Sequence, residues 1–264
     1  MLKKLIFIGI TLLILISCAT SPLGRSQLNL ISPTELNKMG SQAFQSFKQE
    51  KPIETRRSVN RYVSCIANAV IQVSNSPIKQ WEVVVFRDES ANAFALPGGK
   101  VGVHTGLLEM ADNQHQLAAV IGHEIAHVLA NHSNERVSQE FALQQGLAIV
   151  QILGDVKTPM GQQLMGLLGI GAQVGILLPY SRTHESEADE MGLYLMAKAG
   201  FNPKESVNLW QNMSRSSGGA QPPEFLSTHP SHDTRIARLN QIMDRAMSLY
   251  RQAKVKRKKP NCRL

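Results

Sequence analysis

The stretch Ala118-Ala-Val-Ile-Gly-His123-Glu124-Ile-Ala-His127-Val-Leu-Ala130 places two histidines four residues apart inside an apolar run. A run of this length and composition predicts a buried helix. At about 3.6 residues per turn, side chains at positions i and i+4 project from one helix face, so His123 and His127 are expected side by side. Glu124 follows the first histidine directly, within reach of anything that both imidazoles hold.

Two neutral imidazoles and a glutamate on one helix turn are the ligands and the base of a zinc hydrolase. Zinc held by three protein groups keeps a fourth position for water, whose pKa falls towards about 7. Glu124 is then placed to take a proton from that water and return it to a leaving amine. The alternative is an amphipathic helix with ordinary core or surface histidines. The spacing predicts one zinc ion per chain and a catalytic role for Glu124.

A third zinc ligand has to come from another part of the chain, and the acidic cluster at residues 185–190 offers one. Glu185 and Asp189 are four residues apart and share a helix face. Glu185 can therefore bind the metal while Asp189 hydrogen-bonds a ligand histidine and fixes its tautomer. Glu187 points to a different side of that helix. The alternative for Glu185 is a solvent-facing charge.

The composition bounds the class of protein and its partners. At 264 residues with 43% hydrophobic residues, the chain fits one large globular domain better than two small ones. Part of the formal charge of +8 lies in Lys254-Val-Lys-Arg-Lys-Lys259. This basic tail either attracts anionic lipid or nucleic acid, or is a solvated helix end favoured by the helix dipole. Because it has no aromatic residue for base stacking, and export is expected, we expect no nucleic-acid partner.

Residues 1–17 follow the pattern of a secretory signal, with a basic start, a short apolar core and then small residues. Leu15-Ile-Ser-Cys18 ends this segment as the lipobox of a bacterial lipoprotein would, so Cys18 is the predicted lipidation site and a membrane anchor. The alternative is an ordinary signal peptide with an incidental cysteine. Ala19 rather than aspartate follows the cysteine. By resemblance to such signals, this predicts the periplasmic face of the outer membrane.

The rest of the chain divides by composition. Residues 18–33 are rich in small residues, serine and proline, and predict a flexible tether between lipid and domain. Residues 34–253 form the predicted zinc metallopeptidase domain, and residues 254–264 the basic tail. Within the domain, the glycine-rich apolar stretch 161–178 is expected to be a buried or lid-like helical hairpin, with membrane-surface contact as the alternative.

Three short apolar segments precede the metal-binding helix, at residues 81–86, 92–96 and 100–104. They predict strands, with Pro97-Gly-Gly99 as a turn, whereas most other segments have helical periodicity. The predicted fold class is α+β, mostly α, with a small β-sheet beside the His-Glu-x-x-His helix. An extended peptide can add to the edge of such a sheet and so be held across the metal. The alternative is a purely structural sheet.

The motifs together resemble a family of membrane-associated zinc metallopeptidases that includes HtpX, the CAAX prenyl proteases, BepA and LoiP. The resemblance is carried by His123-Glu-Ile-Ala-His127 and by Glu185-Ser-Glu-Ala-Asp189-Glu-Met-Gly. It extends to Asn92-Ala-Phe-Ala-Leu-Pro-Gly-Gly-Lys-Val, to Thr228-His229-Pro230 and to Arg235, and covers roughly residues 34–250.

The resemblance implies a gluzincin-like domain in which Glu185 is the third zinc ligand. It also implies that Asp189 and Arg235 support the ligands, and that Asn92, Ala93 and Phe94 bind substrate. The lipobox is similar to that of the BepA and LoiP branch, and no tetratricopeptide-like extension is expected after the domain.

Two functions fit these expectations. The first is a lipid-anchored periplasmic zinc endopeptidase that degrades misfolded or unassembled envelope proteins, with outer-membrane assembly machinery as a further partner. The second is a zinc-stabilised periplasmic chaperone or assembly factor whose protease site is mostly latent. Glu124 favours the enzyme, because a pure binding protein has no need of a base at that position.

His229 lies in a loop rich in serine, glycine and proline, and Pro230 biases its backbone towards extended geometry. A histidine delivered by a loop could stabilise the oxyanion during catalysis, or occupy the open zinc position and keep the enzyme latent. The resemblance allows both roles, and the alternative is a surface histidine like His232. Cys65 and Cys262 could pair in an oxidising compartment, and the sequence leaves that open.

Overall fold

The structure is a computed structural model that describes residues 18–153, 180–216, 225, 229 and 234–264. Its elements in chain order are β1 (Cys18–Thr20), β2 (Ser26–Leu28), α1 (Pro33–Glu50), α2 (Arg57–Ile71), β3 (Glu82–Phe86), β4 (Ala93–Leu96), β5 (Lys100–His104), α3 (Thr105–Met110), α4 (Gln114–Leu129), α5 (His132–Leu153), α6 (Arg182–Ala199), α7 (Lys204–Ser216) and α8 (Thr234–Val255). The predicted class, α+β and mostly α with a small sheet, is confirmed.

Two predicted segments lie outside the described residues: the signal segment 1–17 and the glycine-rich stretch 161–178. The contacts divide the chain into two units. The smaller unit contains the described residues up to Leu36 and from Asn131 to Leu153, and the larger contains Asn37–Ala130 and the described residues from Tyr180 onwards. None of the described helices is both long and apolar enough to cross a membrane.

The smaller unit joins an antiparallel hairpin to α5. β1 pairs with β2, with Cys18 opposite Leu28. Both guanidinium nitrogens of Arg25 donate to the Glu135 carboxylate at 2.6 Å, and Gln27 donates to the same carboxylate at 2.9 Å. This segment is therefore more ordered than the flexible tether that its composition predicts, because Glu135 supplies a buried partner for polar side chains that sequence alone leaves unpaired.

The larger unit holds a three-stranded sheet in the order β3-β5-β4. β3 and β5 are parallel, whereas β4 and β5 are antiparallel through the Pro97-Gly-Gly99 turn, in which Gly98 and Gly99 both have positive φ. The outer side of β3 is covered by the segment before α2, since Glu54 N donates to Val85 O and Arg87 N to Pro52 O, each at 2.8 Å. β4 is thus the edge strand of this sheet, and the addition of a peptide to it stays a prediction.

α4 runs through the centre of the larger unit, and α6 crosses it at a contact between two glycines. A Cβ on Gly192 would lie 2.7 Å from the backbone nitrogen of His123, and one on Gly122 would lie 2.9 Å from the carbonyl oxygen of Gly192. Only residues without a side chain permit this approach. The crossing therefore brings the backbone of α6 directly against the turn of α4 that carries the histidines.

The C-terminal segment folds back on the larger unit. Cys65 and Cys262 form a disulfide, with their Cα atoms 5.8 Å apart. Gln114, the first residue of α4, donates to Pro260 O at 3.2 Å and accepts from Cys262 N at 2.9 Å. These contacts settle the pairing that the sequence left open.

Three polar side chains near helix starts do not act as helix caps. Thr105 is the first helical residue of α3, not its cap, because its hydroxyl is bonded to the backbone of Asp88. Ser133 lies inside α5, which begins at His132. Glu205 completes no capping box at α7, since its carboxylate accepts from Asn113 and Gln116 of the α4 region.

Candidate metal centre

α4 presents two buried histidines on one face. The helix is capped by Asn113, whose side chain accepts from His115 N and Gln116 N. This cap satisfies two backbone N–H groups of the first turn, and the next three turns of the helix are packed into the core. His123 and His127 are 3% and 0% exposed, and their Nε2 atoms are 3.0 Å apart. The helix-face argument therefore holds, because the i and i+4 side chains meet as expected.

Glu185 completes this face from α6. Its Oε2 lies 3.3 Å from His123 Nε2 and its Oε1 lies 3.3 Å from His127 Nε2. Ser181 caps α6 by accepting from His184 N, so the helix begins just before the carboxylate that the site needs. Glu185 is 2% exposed, which excludes the alternative of a solvent-facing charge.

His229 joins the same cluster from the chain before α8. Its Nδ1 lies 3.2 Å from His123 Nε2 and 3.0 Å from Glu185 Oε1. The side chain is 3% exposed, so the alternative of a surface histidine is wrong. Its neighbours Thr228 and Pro230, like His232, lie outside the described residues. Phe225 explains the burial, because its ring stacks on the imidazole with centroids 4.5 Å apart and its carbonyl accepts from His229 N.

The four side chains form a set suited to a metal ion. One ligand atom from each of His123, His127, Glu185 and His229 lies within 4.8 Å of the others, and all four residues are buried. Three imidazole nitrogens and one carboxylate oxygen are donors that zinc accepts, and four of them match its usual coordination number. The donor set therefore fits zinc, with His229 in the position that a catalytic site leaves open.

Asp189 and Arg235 contact the candidate ligands His123 and Glu185. Asp189 Oδ1 lies 3.0 Å from His123 Nδ1, the contact predicted from the spacing on α6. Arg235 Nη2 donates to the same oxygen at 2.6 Å and lies 3.1 Å from Glu185 Oε2. The guanidinium of Arg235 is itself held 3.6 Å above the ring of Trp210. Arg235 thus compensates two carboxylates that would otherwise repel each other in a buried place.

The electrostatics of the site set the protonation of its ligands. Burial raises the pKa of Glu185, but the charge of His123 and hydrogen bonds from the histidines outweigh it and lower this pKa well below its usual range. Burial lowers the pKa of His127 well below its usual range. For His123, burial lowers the pKa, but Glu185 and Asp189 together raise it to about 9. The site therefore offers an ionised carboxylate at Glu185 and a neutral imidazole at His127, and a metal held here would need His123 in its neutral form as well.

Glu124 is held beside the metal ligands by the edge strand. Its Oε2 accepts from the backbone N–H of Ala95 at 3.1 Å, and its Oε1 lies 3.3 Å from His229 Nε2. Burial raises the pKa of this carboxyl group, with His229 and His123 acting in the opposite direction. A carboxylate with a raised pKa is a better proton acceptor near neutral pH. Ala95 is a site residue that the sequence reasoning did not single out.

The three residues predicted to bind substrate belong to the edge strand or its start. Asn92 is buried, and its carbonyl accepts from His104 N at 3.0 Å. Ala93 is the first residue of β4. The ring of Phe94 packs against Phe47 with centroids 4.8 Å apart, and it covers Gly102, whose added Cβ would meet it at 2.3 Å. The Phe94 side chain therefore packs inside the unit, and substrate binding by these three residues stays a prediction.

Three aromatic rings around the cluster were not identified from the sequence. Tyr180 stacks on His127 with centroids 3.9 Å apart, Phe225 stacks on His229, and Trp210 lies under Arg235. They come from the start of α6, from the chain before α8 and from the middle of α7. No spacing rule connects such positions to a metal site, so the only signal was their aromatic character.

Comparisons with known proteins agree with this geometry. Residues 57–243 match the model of Peptidase family M48. The chain is 34% identical over 242 residues to the mitochondrial metalloendopeptidase OMA1 of Schizosaccharomyces pombe, covering 90% of the chain and 68% of that protein. It is 36% identical over 187 residues to the protein of the same name from Saccharomyces cerevisiae, covering 66% of the chain and 50% of that protein.

A bacterial relative is the beta-barrel assembly-enhancing protease of Yersinia pestis. The chain is 29% identical to it over 205 residues, covering 75% of the chain and 42% of that protein. The chain thus spans between 42% and 68% of the length of these three relatives.

Proposed function

Because the chain belongs to peptidase family M48, we propose that it is a lipid-anchored zinc endopeptidase that cleaves misfolded or unassembled envelope proteins at the periplasmic face of the outer membrane. The metallopeptidase activity follows from the family and from the buried cluster. The metal identity, the substrate class and the compartment are the proposed parts.

The observation that carries the proposal is the position of Glu124 between the ligand cluster and the edge strand. His123, His127 and Glu185 would hold the metal, and zinc in such a site lowers the pKa of water and polarises a peptide carbonyl. Glu124 accepts the proton that water loses on attack and returns it to the leaving amine. The N–H of Ala95 orients its carboxylate for this transfer.

The edge strand supports a polypeptide substrate. An extended segment can add to β4 by backbone hydrogen bonds, which depend little on side-chain identity. Such binding selects chains that expose extended backbone, as unfolded proteins do. The same strand carries the N–H that holds Glu124, so a peptide paired with β4 lies next to the base.

The compartment rests on sequence. The predicted signal segment and Cys18 favour a lipoprotein, and the name of the Yersinia pestis relative refers to the assembly of β-barrel proteins. The two other relatives bear mitochondrial names. The bacterial-type lipobox is the feature of the sequence that favours an envelope over a mitochondrial setting.

A second function is a zinc-stabilised chaperone or assembly factor with a mostly latent site. It is favoured by one observation, namely that the ring of His229 occupies the place where a substrate group or water would approach the ligands. Both functions use the same cluster, and they differ in whether the chain cuts what it binds.

The decisive experiment incubates the purified chain with an unfolded protein such as reduced casein, with and without a chelator. We expect cleavage that stops with the chelator and returns with added zinc. Glu124→Gln should retain the metal but lose cleavage by about 100- to 10,000-fold, because an amide cannot accept the proton. Metal content is measured in parallel to separate lost chemistry from lost zinc.

The outcome also separates the two functions. A chain that prevents aggregation of the unfolded protein equally well as wild type and as Glu124→Gln, with no cleavage in either, is the chaperone. Fractionation of Cys18→Ser after a high-salt wash, which removes proteins held only by surface charge, tests the anchor: the variant should leave the membrane fraction. A variant that still sediments with outer membranes would show that lipidation does not hold the protein there.

A further inference from the structure

A second surface of the larger unit remains unexplained by peptide cleavage. It comprises the end of α8 and the chain after it, and we call it the basic tail surface. Its cations are Arg251, Lys254, Lys256, Arg257, Lys258, Lys259 and Arg263. Residues 251–264 contain no acidic side chain, and within the described part of the chain none of these cations has a carboxylate side chain at ion-pair distance.

The basic tail surface is fixed to the fold at both ends. α8 holds its beginning, and the Cys65–Cys262 disulfide holds its end. Between them, the carbonyl of Lys258 lies so close to Gly200 that a Cβ there would be 2.3 Å from it. Arg257 takes a left-handed backbone conformation (φ 58°), which turns the chain from α8 towards these contacts. The cations are therefore presented in a set arrangement and do not belong to a frayed helix end.

Two aliphatic side chains in the same segment are open to solvent. Val255 is 84% exposed and Leu264 is 66% exposed, the highest values among the large hydrophobic residues that the structure describes. Val255 is the last residue of α8 and Leu264 follows the disulfide by two residues, and neither side chain is covered by the described part of the fold. Exposed apolar side chains among lysines and arginines are typical of surfaces that rest on a lipid headgroup region.

We propose that the basic tail surface binds the surface of anionic phospholipid membranes. Lysine and arginine meet the headgroup phosphates, and Val255 and Leu264 enter the boundary with the acyl chains. This contact belongs to the folded peptidase unit itself and is separate from any acyl anchor at Cys18. A nucleic acid is disfavoured because residues 251–264 contain no aromatic side chain for base stacking. An acidic polypeptide would account for the cations but not for the exposed aliphatic groups.

The test is sedimentation with vesicles of phosphatidylcholine alone and of phosphatidylcholine with about one third phosphatidylglycerol. Every protein is the full chain with Cys18→Ser, so that no acyl chain contributes and any effect of the leader is common to all. We expect the anionic vesicles to be bound more tightly, and the difference to shrink when salt is raised. Lys256→Glu/Lys258→Glu/Lys259→Glu should weaken anionic binding at least about 100-fold, since each basic residue contributes roughly fivefold.

Two further variants sharpen the result. Lys38→Glu/Arg57→Glu/Lys79→Glu makes the same change of charge at exposed residues of other segments. This variant should bind anionic vesicles almost as tightly as the Cys18→Ser protein without further changes, which is called wild type here. Val255→Ser/Leu264→Ser keeps every charge and should weaken binding to anionic vesicles several-fold. Circular dichroism establishes that each variant is folded.

The proposal is overturned if the tail and control charge variants lose binding equally, or if wild type binds both vesicle types alike. It is also overturned if wild type binds poly-glutamate or an oligonucleotide but no vesicle, because the partner would then be an acidic polypeptide or a nucleic acid. Peptidase activity is measured on the same samples. Its presence or absence leaves the vesicle result unaffected, so the two proposals fail independently.

Discussion

The carboxylate of Asp189 and the imidazole of His123 meet across the crossing of α6 and α4, with Oδ1 3.0 Å from Nδ1. This contact orients the ring so that Nε2 faces Glu185 and His127. A carboxylate on the far nitrogen of a ligand histidine fixes its tautomer and raises its basicity. The orientation of His123 on α4 therefore depends on Asp189 of α6, which is not one of the four candidate metal ligands.

Replacing Asp189 by alanine should lower zinc affinity about 10- to 100-fold, because His123 loses the group that orients it. Glu185→Ala should cost more, since it removes a ligand. Competition titrations with a zinc indicator measure both, and Glu190→Ala, a carboxylate one residue further on α6, serves as control. A larger loss in Glu187→Ala than in Glu185→Ala would show that the ligand has been assigned to the wrong side of α6.

Replacing His229 by alanine should raise basal cleavage of unfolded protein or cause self-cleavage. The reason is that its Nδ1 lies among the ligand atoms, 3.2 Å from His123 Nε2, where it would occupy the open position of a bound metal. Initial rates and intact mass measure the effect, with His232→Ala as the matched change three residues further along the chain. A fall in kcat of about 100-fold or more would instead assign His229 to oxyanion stabilisation. Unchanged rates would exclude both roles.

Replacing Gly192 by alanine should destabilise the fold, although alanine favours helix. Its Cβ would lie 2.7 Å from His123 N, so α4 and α6 must move apart, at a cost of about 1–3 kcal/mol in the free energy of unfolding. Urea unfolding measures this. The double variant with Gly122→Ala should cost less than the two single changes together, because one change already opens the contact. Increased stability in Gly192→Ala would contradict the close crossing.

Glu54 should link stability to acid pH. Hydrogen bonds from the side chain and backbone N–H of Arg56 lower its pKa from 4.5 to about 2. A depressed pKa in the folded state contributes stability above the usual pKa, and that contribution is lost as pH falls from 4.5 towards about 2. Arg56→Leu should therefore unfold more easily than wild type near neutral pH, with the difference shrinking below pH 4.

The measurement is urea unfolding of both proteins across this pH range. Arg57→Leu is the control, because it removes a neighbouring exposed cation that is not bonded to Glu54. A gap between Arg56→Leu and wild type that stays constant with pH would show that the ion pair does not link protonation to folding.

The ligand set and most elements could be predicted because they depend on local periodicity. His123 and His127 share a face for the same reason that Glu185 and Asp189 do, and a helix repeats its faces whatever surrounds it. The strands before α4 are marked by short apolar runs and by the glycines of one turn. Where a feature depends on neighbours in sequence, one chain is enough to predict it.

The remaining features depend on distant parts of the chain. Glu205 has the spacing of a capping box, but Asn113 and Gln116 compete for its carboxylate and hold it elsewhere. Phe94 follows a substrate-binding pattern, yet its ring fills the space above Gly102. Tyr180 stacks on His127 because of how the helices meet. Such contacts follow from packing, which a single sequence does not display.

The hydrogen bonds between Gln114 and the segment around Cys262 can form only late in the synthesis of the chain. A chain is synthesised from its N-terminus, so Cys65 waits for a partner that is 197 residues away. At about 5 to 20 residues per second, that interval is on the order of 10 to 40 s. From the synthesis of His127 until that of Cys262, both histidines of α4 exist while the first turn of their helix still lacks the contacts of Pro260 and Cys262. The metal-binding helix is thus among the earliest functional parts to be made and among the last to be finished.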